Sequence, residues 1–566
     1  MTAVKTLAAA ALALATLQSA QAATPARVQA GMDAIFAEWN HRDTPGCGVA
    51  VFQDDAIVFQ QGYGMANLEL DVPIGAQTVF DIGSTSKQFT ATAIMLLVQD
   101  GKLSLDDDIR KHLPEMPDYG RVITVRHLLQ HTSGIRDYLA LLLLGGVAFD
   151  DYSSDQQAMD ALVRQKSLNF QPGDEFVYSN SGYFLAAQIV KRVSGQSLGE
   201  FAGQRIFTPL GMRDTLFRND HTRTVRNRAS AYSRASHESG TPTPTGLAAW
   251  RLDQPNWDQV GDGAVHTTLA DLQRWDRNFY RPQVGDAAML AQMQTVGTLN
   301  NGEKLDYGLG LMMDEYRGVA TVSHGGAWGG YRSELLRVPQ RHWSVAVACN
   351  FAQADTAALS QRVADLWLDL APNTQAEAAP APARRASVTL SANALRRWAG
   401  VYRNPKTGSM RQLRFEHGRL SLHAFGDTFD LRPVARDEFA VEGGPIAGLA
   451  MREGGANQPR VATQIGGGKR TEFFAIDVAT PDAAQLAAYA GSYRCDELAR
   501  DYRFDVADGA LRQLDPREAP TRLDPLERDR FLQGSLSFRF LRGTDGAIDA
   551  VSMNAGRVRD LTCARR

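Results

Sequence analysis

The stretch Asp81-Ile82-Gly83-Ser84-Thr85-Ser86-Lys87-Gln88-Phe89-Thr90 decides how this chain is read. It sets a hydroxyl and an amine three residues apart, where a loop turns into a helix starting at Ser84. One face of that helix carries Phe89, Ala93, Ile94 and Leu97. Positions i and i+3 share a helix face, so Lys87 reaches back to the Ser84 hydroxyl. A serine hydroxyl is a poor nucleophile until a base takes its proton. A lysine serves as that base when burial or nearby cations ease its deprotonation. The positive end of the helix dipole also favours negative charge developing at Ser84. Taken alone, Ser-x-x-Lys reads as well as a serine cap followed by a surface lysine.

Two further motifs change that balance. Tyr178-Ser179-Asn180 follows a Pro172-Gly173 turn signal and precedes Phe184, Leu185, Ile189 and Val190 at helical spacing. Tyr178 and Asn180 are therefore expected on a loop entering a helix. A tyrosine beside a lysine shuttles protons, and a carboxamide holds a substrate carbonyl. The third motif, His324-Gly325-Gly326-Ala327-Trp328-Gly329-Gly330, continues the β-rich run Val319-Ala320-Thr321-Val322-Ser323. Glycines in a strand mark close approach by a ligand or another backbone. The N–H groups of Ser84 and Ala327 are expected to converge as an oxyanion hole.

In this order, Ser84-x-x-Lys87, Tyr178-x-Asn180 and His324-Gly325-Gly326 resemble the three elements of the serine β-lactamase and penicillin-recognising hydrolase superfamily. His131-Thr132-Ser133-Gly134 and the segment from Gly261 to Leu272 add to the likeness, which runs from about Val28 to Leu370. The resemblance implies catalytic Ser84, Lys87, Tyr178 and His324. It implies substrate and oxyanion contacts from Asn180, Gly325, Gly326 and Ala327, and neither metal nor organic cofactor. True β-lactamases carry lysine and threonine where this chain has His324 and Gly325. Histidine there is typical of certain DD-peptidases, D-aminopeptidases and esterase-like relatives, and it brings a group that titrates near neutrality. Asp137 and Asp262 are candidates for a substrate ammonium, although capping carboxylates are commoner.

The charge balance, 60 Lys+Arg against 63 Asp+Glu, gives no basic excess for nucleic acid. Residues 1–22 combine Lys5, an apolar stretch from Leu7 to Leu17 and an Ala-x-Ala site ending at Ala22. This reads as a cleavable signal peptide, too short for a stable membrane span. The expected address is periplasmic or secreted. Four cysteines form no Cys-x-x-Cys pair. Cys495 and Cys563 are expected to bridge. Cys47 and Cys349, on apolar strands, are read as buried free thiols.

Gly46 to Gly64 read as a hairpin turning at Asp54-Asp55, and strands return after Val322. The expected fold is α+β: an antiparallel sheet flanked by helices, with a helical subdomain, over 23–370. An Ala/Pro-rich linker occupies 371–388. Two small antiparallel β-barrels follow, over 389–480 and 481–566. They carry an internal repeat, in which Leu395-Arg396-Arg397-Trp398-Ala399-Gly400-Val401-Tyr402 matches Leu486-Ala487-Ala488-Tyr489-Ala490-Gly491-Ser492-Tyr493.

A hydrolase domain followed by two barrels resembles the bacterial D-aminopeptidases in particular. In that family a loop of the last barrel reaches towards the active site and restricts substrate size. Here the matching strands are joined by only Gln533-Gly534-Ser535. The leading expectation is an acyl-enzyme hydrolase for D-amino-acid peptides or amides, cell-wall material included. The alternatives are an esterase or β-lactamase-like hydrolase, and a slowly acylating penicillin-binding or sensor module. The expected partner is a small peptide, amide or ester substrate, with no nucleic acid and no stable membrane insertion.

Overall fold

The computed structural model describes residues 26–235, 244–370 and 386–566, except 406–407, 425–426, 442–445, 456–457 and 467–468. The expected leader, 1–22, and most of the linker, 371–388, lie outside the described residues. Strands β1 (Cys47–Gln53) and β2 (Ala56–Tyr63) form the expected hairpin. Asp54 and Asp55 turn it at φ 49° and 68°, a left-handed pair that matches the twist of the flanking strands. Strands β3 (Met312–Tyr316), β4 (Val319–Trp328), β5 (Tyr331–Val338) and β6 (Trp343–Cys349) complete the sheet. Its order is β3-β4-β5-β6-β1-β2, antiparallel throughout.

The central strands β1 and β6 are covered on both faces, which is why they read as unbroken apolar runs. Side chains alternate along a strand. Val49, Val51, Val345 and Val347 pack with helices α1 (Ala26–Phe36) and α6 (Thr356–Leu368). Ala50, Phe52, Ala346 and Ala348 join the core that holds α2 (Lys87–Gln99), α4 (Asn180–Ser194) and α5 (Leu269–Asn278). Helix α2 is buried from Lys87 to Leu97, so it runs through the interior with no solvent face over that span. Between α2 and α4 lies α3 (Tyr138–Leu144). Among the described residues no helix is long and apolar enough to cross a membrane.

The reading of Cys47 and Cys349 as free thiols is overturned. The register of β1 on β6 sets the two directly opposite, with Cα atoms 4.0 Å apart, and they form a disulfide. Opposed residues of an antiparallel pair come this close, but a separation of 302 residues hides the pairing from a linear reading. Cys495 and Cys563 are bridged as expected.

Strands over 400–476 close into an eight-stranded barrel. Those over 491–565 form a nine-stranded sheet whose end strands, Thr521–Arg522 and Asp524–Glu527, are separated by Leu523 alone, so it too nearly closes. The repeat is structural as well as sequential. Gly400 and Gly491 both sit at positive φ, 147° and 146°. The Tyr402 hydroxyl donates to Trp398 O at 2.9 Å, and that of Tyr493 to Tyr489 O at 2.8 Å. In the last sheet β7 (Arg530–Gln533) and β8 (Leu536–Arg542) are joined by the expected tight turn, with Gly534 at φ 58°. Strands β9 (Ile548–Asn554) and β10 (Leu561–Arg565) follow.

The last barrel shares a core with the hydrolase helices, where Leu498, Tyr502 and Val558 join Leu141, Leu142 and Leu144. Its polar anchor is Arg136. That buried guanidinium pairs with Glu497 at 2.8 Å and donates to Gln165, Ser167 and the Arg559 carbonyl. A buried charge needs partners, and this cluster meets both terminal nitrogens of the guanidinium from the two sides of the interface, leaving Nε without a hydrogen bond among the described residues.

Replacing Cys47 and Cys349 together by alanine should lower the unfolding free energy by roughly 2–4 kcal/mol. Denaturant titration of the two proteins measures it. Equal midpoints would show that this closure contributes nothing to stability.

Candidate active site

The Ser-x-x-Lys segment is held on every side. The Asp81 carboxylate accepts the Gly83 N–H at 2.8 Å and shapes a 3₁₀ turn over Gly83–Ser86. The regular helix therefore begins at Lys87 rather than at Ser84. Thr85 donates its hydroxyl to His324 O at 2.9 Å, Ser333 donates to Ile82 O at 2.8 Å, and Ser86 accepts the Val265 N–H at 3.0 Å. The turn is thus tied to β4, β5 and the segment after Gly261, and only Ser84 is left facing the site.

Lys87 is fully buried. Its Nζ donates to Ser84 Oγ at 3.0 Å, Asn180 Oδ1 at 3.0 Å and Asp262 O at 2.6 Å. Three acceptors match the three hydrogens of an ammonium. Lysine donates only, so the Asn180 atom facing it is the carbonyl oxygen, which leaves the Asn180 amide hydrogens for another partner. Asn180 opens α4, and its backbone N–H donates to Asp137 Oδ2 at 2.7 Å. Asp137 also caps α3. Tyr178 stands two residues before α4, with its ring centre 5.0 Å from Lys87 Nζ. The buried His131 ring stacks on Tyr178 at 4.1 Å. Burial, with Lys87 and His324 adding to it, holds His131 far below the usual histidine range.

His324 is buried, and its Nδ1 lies 2.6 Å from Gly325 O. A carbonyl only accepts, so Nδ1 carries the proton and Nε2 accepts from the Tyr307 hydroxyl at 2.9 Å. Burial first, and the Lys87 charge second, push His324 down to about 3. The expectation of a group titrating near neutrality is therefore corrected: His324 is a neutral acceptor with a fixed tautomer.

The glycines of the third motif have a steric cause. A Cβ at Gly326 would lie 1.9 Å from Ile82 O, and one at Gly83 would lie 2.6 Å from Ala327 N. Strand β4 and the Ile82–Ser84 backbone touch without intervening side chains, which sets the Ala327 amide beside the turn that carries Ser84. Gly325 abuts Glu334 instead, whose Oε2 would be 2.7 Å from a Cβ there. Glu334 is buried behind the strand, and burial lifts it to about 8, against the Ser323 hydroxyl and with Asp355 reinforcing.

Tyr307 and Arg557 enter the site without having been named for it from the sequence, and Asp262, a candidate there for a substrate ammonium, enters it through its backbone carbonyl. Tyr307 lies before Gly308-Leu309-Gly310. Gly310, at φ 73°, would place a Cβ 2.8 Å from Lys87 O, so that glycine pair was a signal of close approach. Asp262 supplies a carbonyl to Lys87, not a surface cap. Its carboxyl accepts from Tyr138 at 3.1 Å and is raised by burial to about 6, against the Lys87 charge. Arg557 arrives from the last barrel and sets its guanidinium 5.0 Å from the Tyr178 ring centre.

The beta-lactamase family model matches residues 26–367. The D-aminopeptidase of Gluconobacter oxydans (strain 621H) is 28% identical over 489 residues, 86% of each chain. A D-stereospecific amidohydrolase from Streptomyces sp. is 25% identical, with a TM-score of 0.50 over 61% of this chain and 99% of its own. The octameric penicillin-binding protein homologue from Pyrococcus abyssi shares the fold at 23% identity, with a TM-score of 0.55 over 87% of this chain and 98% of its own.

Glu334 also makes a stability prediction. Its carboxyl ionises near 4.5 in the unfolded chain and near 8 in the folded one. Between those values the folded state holds a proton that the unfolded state has lost, so Glu334 lowers stability as pH rises through the window and adds no slope outside it. Chemical denaturation of wild type and Glu334→Gln at pH 5 and pH 8 should show a smaller decline in the variant. Equal declines would mean that the carboxyl is not held protonated.

Proposed function

This chain belongs to the beta-lactamase family and is a serine hydrolase, and from that premise we propose that it cleaves amide bonds in D-amino-acid peptides or amides through an acyl-enzyme on Ser84. The observation that carries the reading is the 3.0 Å contact of a wholly buried Lys87 with Ser84 Oγ. The D-aminopeptidase and D-stereospecific amidohydrolase among its relatives support the D-amide substrate.

In this mechanism Ser84 Oγ attacks the carbonyl carbon, and its proton passes to whichever member of the Lys87–Tyr178 pair is deprotonated when substrate is bound. Lys87, hydrogen-bonded to Oγ, stabilises the oxygen as it loses that proton. The Ser84 and Ala327 N–H groups receive the oxyanion, each worth roughly 3–4 kcal/mol in the transition state. The Asn180 amide hydrogens hold the substrate carbonyl on the other side of Lys87. His324 keeps Tyr307 donating to it and so fixes the back wall of the site. Collapse of the tetrahedral species returns the proton to the leaving amine, and water then hydrolyses the acyl-enzyme.

Export belongs to the same proposal. The N-terminal stretch has the features of a cleavable leader, and two disulfides suit an oxidising compartment.

Hydrolysis of D-Ala and L-Ala p-nitroanilides, with p-nitrophenyl acetate alongside, tests the reading. Wild type should cleave the D-anilide preferentially, and Ser84→Ala should lose on the order of a thousandfold or more in kcat. Ester turnover alone would move the protein to the esterase branch. Gly326→Ala should displace the Ile82–Ser84 backbone and cost about a hundredfold in kcat with little change in KM. A variant with wild-type kcat would rule out the oxyanion placement.

A further inference from the structure

The turn between β9 and β10 brings Ala555-Gly556-Arg557-Val558-Arg559-Asp560 against the mouth of the hydrolase site. Val558 is fully buried in the shared core, which fixes the turn from its own side. From the hydrolase side, Asn169 donates its amide to Arg557 O at 2.8 Å and accepts the Arg559 N–H at 2.8 Å. The Asp137 N–H adds a third bond, to Arg557 O at 3.3 Å. The backbone of Arg557 is therefore pinned, and its side chain is aimed by it.

That side chain lies over the ring of Tyr178, 5.0 Å from its centre, and Lys87 Nζ stands at the same distance from the same ring. The guanidinium is thus within two ring-contact lengths of the group that touches Ser84. It is 45% exposed and makes a long ion pair with Asp137 Oδ2, at 3.6 Å. That is too far for a hydrogen bond. Asp137 Oδ2 shares its charge with the Asn180 N–H, which it accepts at 2.7 Å. Among the described residues no acceptor is hydrogen-bonded to the Arg557 guanidinium. The Arg559 guanidinium two residues on is committed to Glu175 at 3.0 Å. Arginine stays charged at every working pH and offers a planar fork that matches a carboxylate.

We propose that Arg557 is a specificity residue supplied by the last barrel, which binds a carboxylate of the substrate at the Tyr178 edge of the site. The preferred substrates are then amides that carry a carboxylate close to the scissile bond, either the C-terminal carboxylate of a short peptide or an acidic side chain. This rests on the amide-hydrolase reading and narrows it. It also gives the barrel a place in the site even though the turn between β7 and β8 is too short to reach it.

Matched substrates test it. D-Ala-D-Ala is compared with D-Ala-D-Ala amide, and D-Ala-D-Glu amide with D-Ala-D-Gln amide, using wild type, Arg557→Gln and Arg557→Lys. The first pair reads the C-terminal carboxylate and the second the acidic side chain. Wild type should favour the carboxylate member of at least one pair by about ten- to a hundredfold in kcat/KM. Arg557→Gln should lose that preference mainly through KM, and Arg557→Lys should recover part of it. Equal losses on both members would make Arg557 a support for Tyr178 instead, and no preference in wild type would overturn the proposal.

If no peptide is cleaved, the amide-hydrolase reading fails by itself. The contact is then read by calorimetry of N-acetyl-D-alanine and N-acetyl-D-alaninamide on Ser84→Ala and on Ser84→Ala/Arg557→Gln. Tighter binding of the acid, abolished by the second substitution, upholds the carboxylate site. Equal binding of acid and amide overturns it.

Discussion

A buried ammonium must be met by acceptors, because the cost of leaving it unpaired away from water exceeds what packing can return. Lys87 meets three, and they come from three separate parts of the chain: the turn that carries Ser84, the first residue of α4 and the segment after Gly261. Satisfying that one side chain therefore fixes how α2, α4 and the 261–264 backbone sit together. The same condition places the nucleophile, because the acceptor not provided by a carbonyl or carboxamide is the Ser84 hydroxyl.

The second constraint is steric. The strand that faces Ser84 approaches so closely that Gly83 and Gly326 have no room for side chains. This is backbone meeting backbone, and it is anchored by hydroxyls rather than by apolar contacts: Thr85 to the His324 carbonyl and Ser333 to the Ile82 carbonyl. Such contacts have little slack. They position the Ala327 amide by the same geometry that excludes a Cβ. His324 and Tyr307 lie behind this arrangement as a neutral hydrogen-bonded pair.

The third element is the last barrel. Its docking is both apolar, through Val558 and Tyr502, and ionic, through Arg136 and Glu497. An interface so anchored makes the β9–β10 turn as well positioned as a loop of the hydrolase itself. The barrels repeat one local device, in which a short helix, a glycine at positive φ and a tyrosine bonded to the carbonyl four residues before it form a closed corner. That device was visible in the sequence because all of its parts lie within a dozen residues of each other.

The same distinction runs through the whole molecule. Local spacing by itself determined the hairpin at Asp54-Asp55, the side-by-side Ser84 and Lys87, the entry of Asn180 into a helix, the strand with its glycines and the repeated barrel corners. In each case the interacting groups are near neighbours, and backbone periodicity alone sets their directions. Tertiary structure alone decided the rest. Cys47 and Cys349 meet because β1 and β6 are adjacent in the sheet although distant in the chain. His324 loses its neutral-range titration because burial and Lys87 act on it together, and neither is legible in a histidine followed by glycines. Tyr307, Asp262 and Arg557 join the site from three further segments. Burial, long-range register and domain docking are properties of the folded arrangement, and a linear pattern holds no record of which distant residues will share the same few ångströms.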